Sequence, residues 1–172
     1  GKGVSRLATE TKLRQLADKG CPVYYFYSSE RYLVRQAVAQ AVRILSADSN
    51  EDATVLDGAA PEIEQLIMAA GTISFFGTRR VVVLPELEPG SYSDKDIDEL
   101  NSTLASLENA VVVLGSVFEL ERNKLKLGKR VQKLIAQCKS LGYTEELAKP
   151  KPYELKMMMI DRAKEQGTTL PE

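Results

Sequence analysis

Residues 80–84 read RVVVL and residues 110–114 read AVVVL, and these two short runs decide the fold. Both are rich in valine, a β-branched residue that favours strands. Their apolar residues are consecutive rather than alternating, so each strand is expected to be covered on both faces, as parallel strands packed between helices are. The two runs therefore predict strands of a parallel sheet that helices cover on both sides, and the second of these strands is expected to end at Gly115.

The same pattern extends outward along the chain. Residues 23–27 (VYYFY) and 53–56 (ATVL) predict two more strands, and residues 141–144 a short fifth one. Apolar residues repeat every three or four positions between these runs, which indicates helices. The predicted helices span about residues 5–19, 30–46, 62–71, 97–107 and 127–138. The fold class predicted is α/β, with a doubly wound, mainly parallel sheet of about five strands flanked by helices.

Two prolines and two lysines in residues 148–152 (AKPKP) predict a linker. We expect one domain over residues 1–148. Residues 149–172 are expected to hold the linker and a helix at about 153–166, which would begin a second domain.

Composition excludes several classes of function. The chain has 172 residues, of which 44% are hydrophobic and 27% charged, as in ordinary globular proteins. It has no histidine, which removes Ser-His-Asp and Cys-His catalysis and imidazole metal sites. Cys21 and Cys138 are far apart in sequence and are expected to be reduced thiols in the core. No catalytic residue, metal or cofactor is predicted, and the absence of a long apolar run predicts a cytoplasmic protein with no membrane contact.

The loop after the first strand argues against nucleotide binding. It reads Ser28-Ser29-Glu30, and no glycine lies between Gly20 and Gly58, so a glycine-rich phosphate cradle is missing. Glu30 would also repel a triphosphate at the start of the next helix. ATP hydrolysis is not expected, and Glu86, which follows the strand at residues 80–84, is interpreted as part of a solvated acidic loop.

Two features carry alternative interpretations. The adjacent Phe75 and Phe76 are either core residues under the sheet or an exposed anchor for a partner. Residues 86–108 carry seven acids and one base, and residues 121–139 carry seven bases and one acid. Solvated helix faces explain both segments, and a patch for nucleic acid or an acidic subunit is the alternative. The candidate contacts in the basic segment are Arg122, Lys124, Lys126, Lys129, Arg130 and Lys133.

Four segments in order resemble one protein family. They are VYYFYSSERYL (23–33), VLDG (55–58), ISFFGTRRVVV (73–83) and KPYEL (151–155). Together they resemble the delta subunit of the bacterial DNA polymerase III clamp loader, over nearly the whole chain from about residue 21. Ser28 replaces the glycine usual in the family's first loop, and residues 89–92 (PGSY) form an unusual connection.

The resemblance implies a AAA+-like domain without a P-loop or ATP site, which binds the sliding clamp (the polymerase III beta subunit) and helps to open it. Residues 149–172 would start the lid domain. The polymerase activity of the holoenzyme would reside in other subunits, and the delta prime and tau/gamma subunits would be partners. The clamp-binding residues implied are Ile73, Ser74, Phe75, Phe76 and Gly77, so the resemblance favours the anchor interpretation. A degenerate nucleotide-binding switch and a basic-patch DNA-binding module, with at most weak DNA contact, remain the alternatives.

Overall fold

A computed structural model describes residues 6–47, 49, 51–74, 77–149 and 159–160. The helices are α1 (Arg6–Asp18), α2 (Arg31–Leu45), α3 (Ile63–Gly71), α4 (Asp94–Ala105) and α5 (Lys129–Leu141). The strands are β1 (Val23–Ser28), β2 (Thr54–Val55), β3 (Arg80–Leu84), β4 (Ala110–Val117), β5 (Leu120–Glu121), β6 (Lys124–Leu125) and β7 (Tyr143–Glu146). The main sheet has five parallel strands in the order β2-β3-β4-β1-β7.

The apolar runs form the three central strands of this sheet, and they are covered on both faces as predicted. β4 lies between β3 and β1, with Arg80 opposite Ala110 and Val23 opposite Val112. All six residues of β1 and the first seven of β4 are buried. Consecutive burial follows from the two helical layers, because neither face of these strands meets water.

Each face of the sheet has its own apolar core. On one face α1 and α2 pack through residues such as Leu13, Val34 and Val38. On the other face α3, α4 and α5 contribute residues that include Leu66 and Leu134. The predicted doubly wound α/β fold is therefore confirmed.

The prediction that the fourth strand ends at Gly115 is wrong, because β4 continues to Val117. A Cβ atom on Gly115 would lie 2.7 Å from the carbonyl oxygen of Pro85 and 2.9 Å from a methyl of Val34. The glycine thus permits close packing inside the strand rather than ending it.

Other boundaries differ from the sequence predictions by a few residues. α4 ends at Ala105, two residues before Leu107, and α5 begins at Lys129, two residues after Leu127. The antiparallel pair β5–β6 was not predicted. Its turn consists of Arg122 and Asn123, at φ 53° and 65°, as a tight two-residue hairpin requires.

The unusual connection at residues 89–92 contains a short 3-10 helix, Pro89–Ser91. The Tyr92 side chain is buried there, and its hydroxyl donates to the carbonyl of Pro61. This bond joins the connection to the loop before α3.

The predicted second domain at 149–172, including the helix at 153–166, falls almost wholly outside the described residues. Over the part of the chain that the structure describes, no helix is both long and apolar enough to cross a membrane. Within the same residues, no group of three or more acidic or cysteine side chains is placed to hold a metal ion.

Candidate functional site

The segment from the end of α3 to the start of β3 carries the predicted clamp-binding residues. α3 ends at Gly71, and Ile73 has 78% of its surface exposed, whereas Ser74 has only 8%. Gly77 is exposed with φ +70°, a left-handed conformation that glycine adopts without strain. Phe75 and Phe76 lie outside the described residues, so the choice between core residue and anchor stays a prediction.

Hydrogen bonds of Ser74 attach this segment to the rest of the domain. Its hydroxyl donates to Oε1 of Glu51 at 2.9 Å and lies 3.2 Å from the hydroxyl oxygen of Thr78. The backbone N–H of Gly77 donates to the Ser74 carbonyl at 3.4 Å. The residues on either side of positions 75 and 76 are thus held by the body of the domain.

Glu51 is itself held by an ion pair at the edge of the sheet. Its Oε2 lies 2.7 Å from Nη1 of Arg80, and the two side chains are only 19% and 21% exposed. Nη2 of Arg80 donates to the hydroxyl of Thr54 at 2.8 Å, and the Glu51 N–H donates to the Ser49 hydroxyl at 3.1 Å. Sequence analysis missed this network, since its members come from separate segments.

An apolar surface adjoins the segment. The inner side of α3 buries Ile63 and Leu66, while Ile67 and Met68 on its outer side are 47% and 73% exposed. With Ile73, two residues beyond the end of α3, they make three large apolar side chains exposed to water within seven residues. Exposed apolar surface of this kind is typical of protein-binding sites.

At the end of β1, the position of a phosphate-binding loop is filled by internal contacts. The Ser28 hydroxyl donates to the Leu147 carbonyl at 2.6 Å and accepts from the Glu30 N–H at 3.1 Å. These bonds tie the loop to the chain after β7.

Glu86 lies at the end of β3 and was interpreted as a solvated acidic side chain. That interpretation is incomplete, because its Oε1 lies 2.9 Å from Nη1 of Arg31 and 3.2 Å from Nη2 of Arg35. All three side chains keep about half or more of their surface in water. The two arginines at the start of α2 therefore offset the negative charge of the Glu86 carboxylate next to the end of β3.

The acidic and basic segments lie side by side on α4 and α5. Nε of Arg130 is 2.8 Å from Oδ1 of Asp94, and Lys133 is ion-paired with Asp98. Part of each charge excess is therefore neutralised by the other, which the sequence analysis did not foresee. The other four candidate cations are exposed, in the β5–β6 hairpin and in the residues that follow it: Arg122, Lys124, Lys126 and Lys129.

Both cysteines are free thiols, and burial determines their chemistry. Cys138 is a fully buried residue of α5, and burial raises its pKa to about 12. Cys21 is half-buried, and its pKa is also raised, chiefly by burial. Neither thiol is an activated nucleophile.

Comparisons with known proteins bear on the fold. No protein-family model and no curated protein matches the chain. Among solved structures, the chain is similar to a DNA polymerase III gamma subunit-related protein from Thermotoga maritima, with a TM-score of 0.56 and 12% sequence identity. The match covers 91% of this chain and 52% of that protein, so the chain spans about half of its length. The likeness shows that the two share a fold.

Proposed function

We propose that this chain is a clamp-loader subunit of the delta type, which binds the sliding clamp of the replicative polymerase through residues 73–77 and helps to open it. Two independent lines support the proposal. One is the sequence ISFFGTRRVVV at 73–83, which resembles the clamp-binding element of the delta family. The other is the fold likeness to a DNA polymerase III gamma subunit-related protein.

The observation that carries the proposal is the exposure of Ile73. An isoleucine 78% exposed, beside a serine 8% exposed and hydrogen-bonded to Glu51, forms an apolar contact point on a tethered segment. Binding to such a segment requires little ordering, and small apolar clusters of this kind carry much of the affinity of protein interfaces. Met68 and Ile67 extend the apolar surface that a partner would cover.

We also propose that the chain does this work without hydrolysing ATP. This is supported by the ends of β1 and β3, where a P-loop enzyme would need phosphate and Mg²⁺ contacts: the Ser28 hydroxyl and the Glu86 carboxylate there are both bonded to neighbouring residues. The delta prime and tau/gamma subunits would then supply the remaining parts of the loader. DNA contact by the exposed cations of the β5–β6 hairpin would be secondary.

Calorimetric titration with the sliding clamp of the source organism tests the proposal. One saturable site is expected, and a peptide of residues 72–80 should compete for it, whereas a scrambled peptide of the same composition should not. The proposal is contradicted if no heat of binding is seen at clamp concentrations up to about 100 μM, because a dissociation constant above that value is too weak for a specific interface.

A further inference from the structure

A chain of hydrogen bonds links residues 73–77, the proposed partner-binding segment, to the edge of the sheet. It runs from Thr54 in β2 through Arg80 in β3 to Glu51, and from Glu51 to Ser74. Each step is 2.7 to 2.9 Å long, which is the range of strong hydrogen bonds. Ser74 stands directly beside Ile73, the most exposed large apolar residue of the described chain.

The charge arrangement at Glu51 makes the link stiff. Oε2 pairs with the Arg80 guanidinium, while Oε1 accepts from Ser74, so the two oxygens of one carboxylate hold two different segments. Both charged side chains are about four fifths buried, where water competes weakly for their hydrogen bonds. A rotation of Glu51 that released Ser74 would also strain the pair with Arg80.

We propose that Glu51 is a positioning residue for the partner-binding segment, which it holds in place through Ser74 with Arg80 as its support. This inference rests on the proposed function of that segment. Holding Ser74 fixes the backbone from which Ile73 projects, so less conformational entropy is lost when a partner binds. In this proposal Glu51 acts on the partner only through Ser74.

Hydrogen exchange in the free protein tests the holding step without any partner. Ser74→Ala removes the hydrogen bond to the Glu51 carboxylate and the contact with the Thr78 hydroxyl, and the Gly77 amide, which donates to the Ser74 carbonyl, should exchange about ten- to a hundredfold faster. Glu51→Gln keeps an acceptor near Ser74 but loses the ion pair, and a smaller acceleration of about three- to tenfold is expected. The matched controls are Ser102→Ala and Glu108→Gln, which alter exposed side chains far along the sequence from the segment.

Binding to the sliding clamp tests the positioning step. Ser74→Ala and Glu51→Gln should each weaken the affinity, and the double variant should be little weaker than the Ser74→Ala variant, because both changes act through the same bond. Amide exchange in β1 and β4 should stay at the rate of the unaltered protein, which separates positioning from a general loss of stability.

The outcomes separate the two proposals. Unchanged exchange at Gly77 in both variants would overturn the holding role of Glu51. Faster exchange with unchanged clamp affinity, while Ile73→Ala weakens the affinity, would overturn positioning and leave the proposed function intact. If the unaltered protein fails to bind the clamp, the proposed function fails, and positioning for the clamp fails with it.

Discussion

Replacing Ile73 by alanine should weaken partner binding while leaving the fold unharmed. Complete burial of an isoleucine side chain is worth about 1.5–3 kcal/mol. Because Ile73 is 78% exposed in the free protein, about three quarters of that energy, roughly 1–2 kcal/mol, is available only in a complex. The expected loss of clamp affinity is therefore about five- to thirtyfold.

The same exposure predicts little change in stability. Ile73→Ala should alter the free energy of unfolding by about 0.5 kcal/mol or less, as exposed substitutions usually do. Leu66→Ala on the preceding helix is the matched contrast, since Leu66 is 1% exposed and truncation of such a residue costs about 2–5 kcal/mol. Calorimetric titration with the clamp and urea unfolding of both variants would measure the two quantities. The reasoning is refuted if Ile73→Ala binds as tightly as the unaltered protein, or if it loses as much stability as Leu66→Ala.

Three further predictions concern nucleotide, DNA and pH. ATP with Mg²⁺ should show no saturable binding in calorimetry. Binding with a micromolar dissociation constant that is lost in Arg31→Ala would show that Arg31 binds nucleotide rather than only pairing with Glu86. Duplex DNA should bind weakly and with a steep salt dependence, and submicromolar affinity at physiological salt that is lost on Lys124→Glu with Lys126→Glu would show that the hairpin is a DNA site. Burial raises the pKa of Cys138 from 9.0 to about 12, so its contribution to stability is complete below about pH 9 and is lost as the pH rises toward 12. Urea unfolding should show about 2 kcal/mol less stability at pH 10.5 than at pH 8 from this group, and an equal loss in Cys138→Ala would assign the effect elsewhere.

The parts of the fold that were predicted correctly depend on local sequence. The valine runs of β3 and β4 and the three- and four-residue spacing of Val34, Val38 and Ala41 reveal burial without knowledge of their partners. The hairpin at residues 120–125 was missed because each strand is only two residues long, one leucine and one charged residue, which is too short to show a pattern. Gly115 was misjudged because its role depends on the Pro85 carbonyl, 30 positions earlier in the numbering.

The candidate site likewise has one part that local sequence indicates and another part that depends on contacts between distant residues. The exposed Ile73 stands within the stretch ISFFG, which was selected from sequence, and clamp binding by that stretch stays a prediction. The contacts that hold it join residues far apart in the chain: Glu51 and Ser74 are separated by 23 positions, and Glu51 and Arg80 by 29. Charge pairing across α4 and α5, such as Arg130 with Asp94 at 36 positions, escaped prediction for the same reason. A pattern reveals which face a residue occupies, and only the tertiary fold reveals its polar partner.

The most direct test of the central claim is the double change Phe75→Ala with Phe76→Ala, measured for clamp affinity and melting temperature on the same sample. If the pair anchors the clamp, losing two apolar contacts of about 1.5–3 kcal/mol each should weaken binding by at least about a hundredfold. The melting temperature should stay within a few degrees of the unaltered protein. If the two residues were core instead, truncation would cost about 3–5 kcal/mol each and the melting temperature would collapse. A collapsed melting temperature, or a stable variant that binds the clamp with unchanged affinity, would contradict the account.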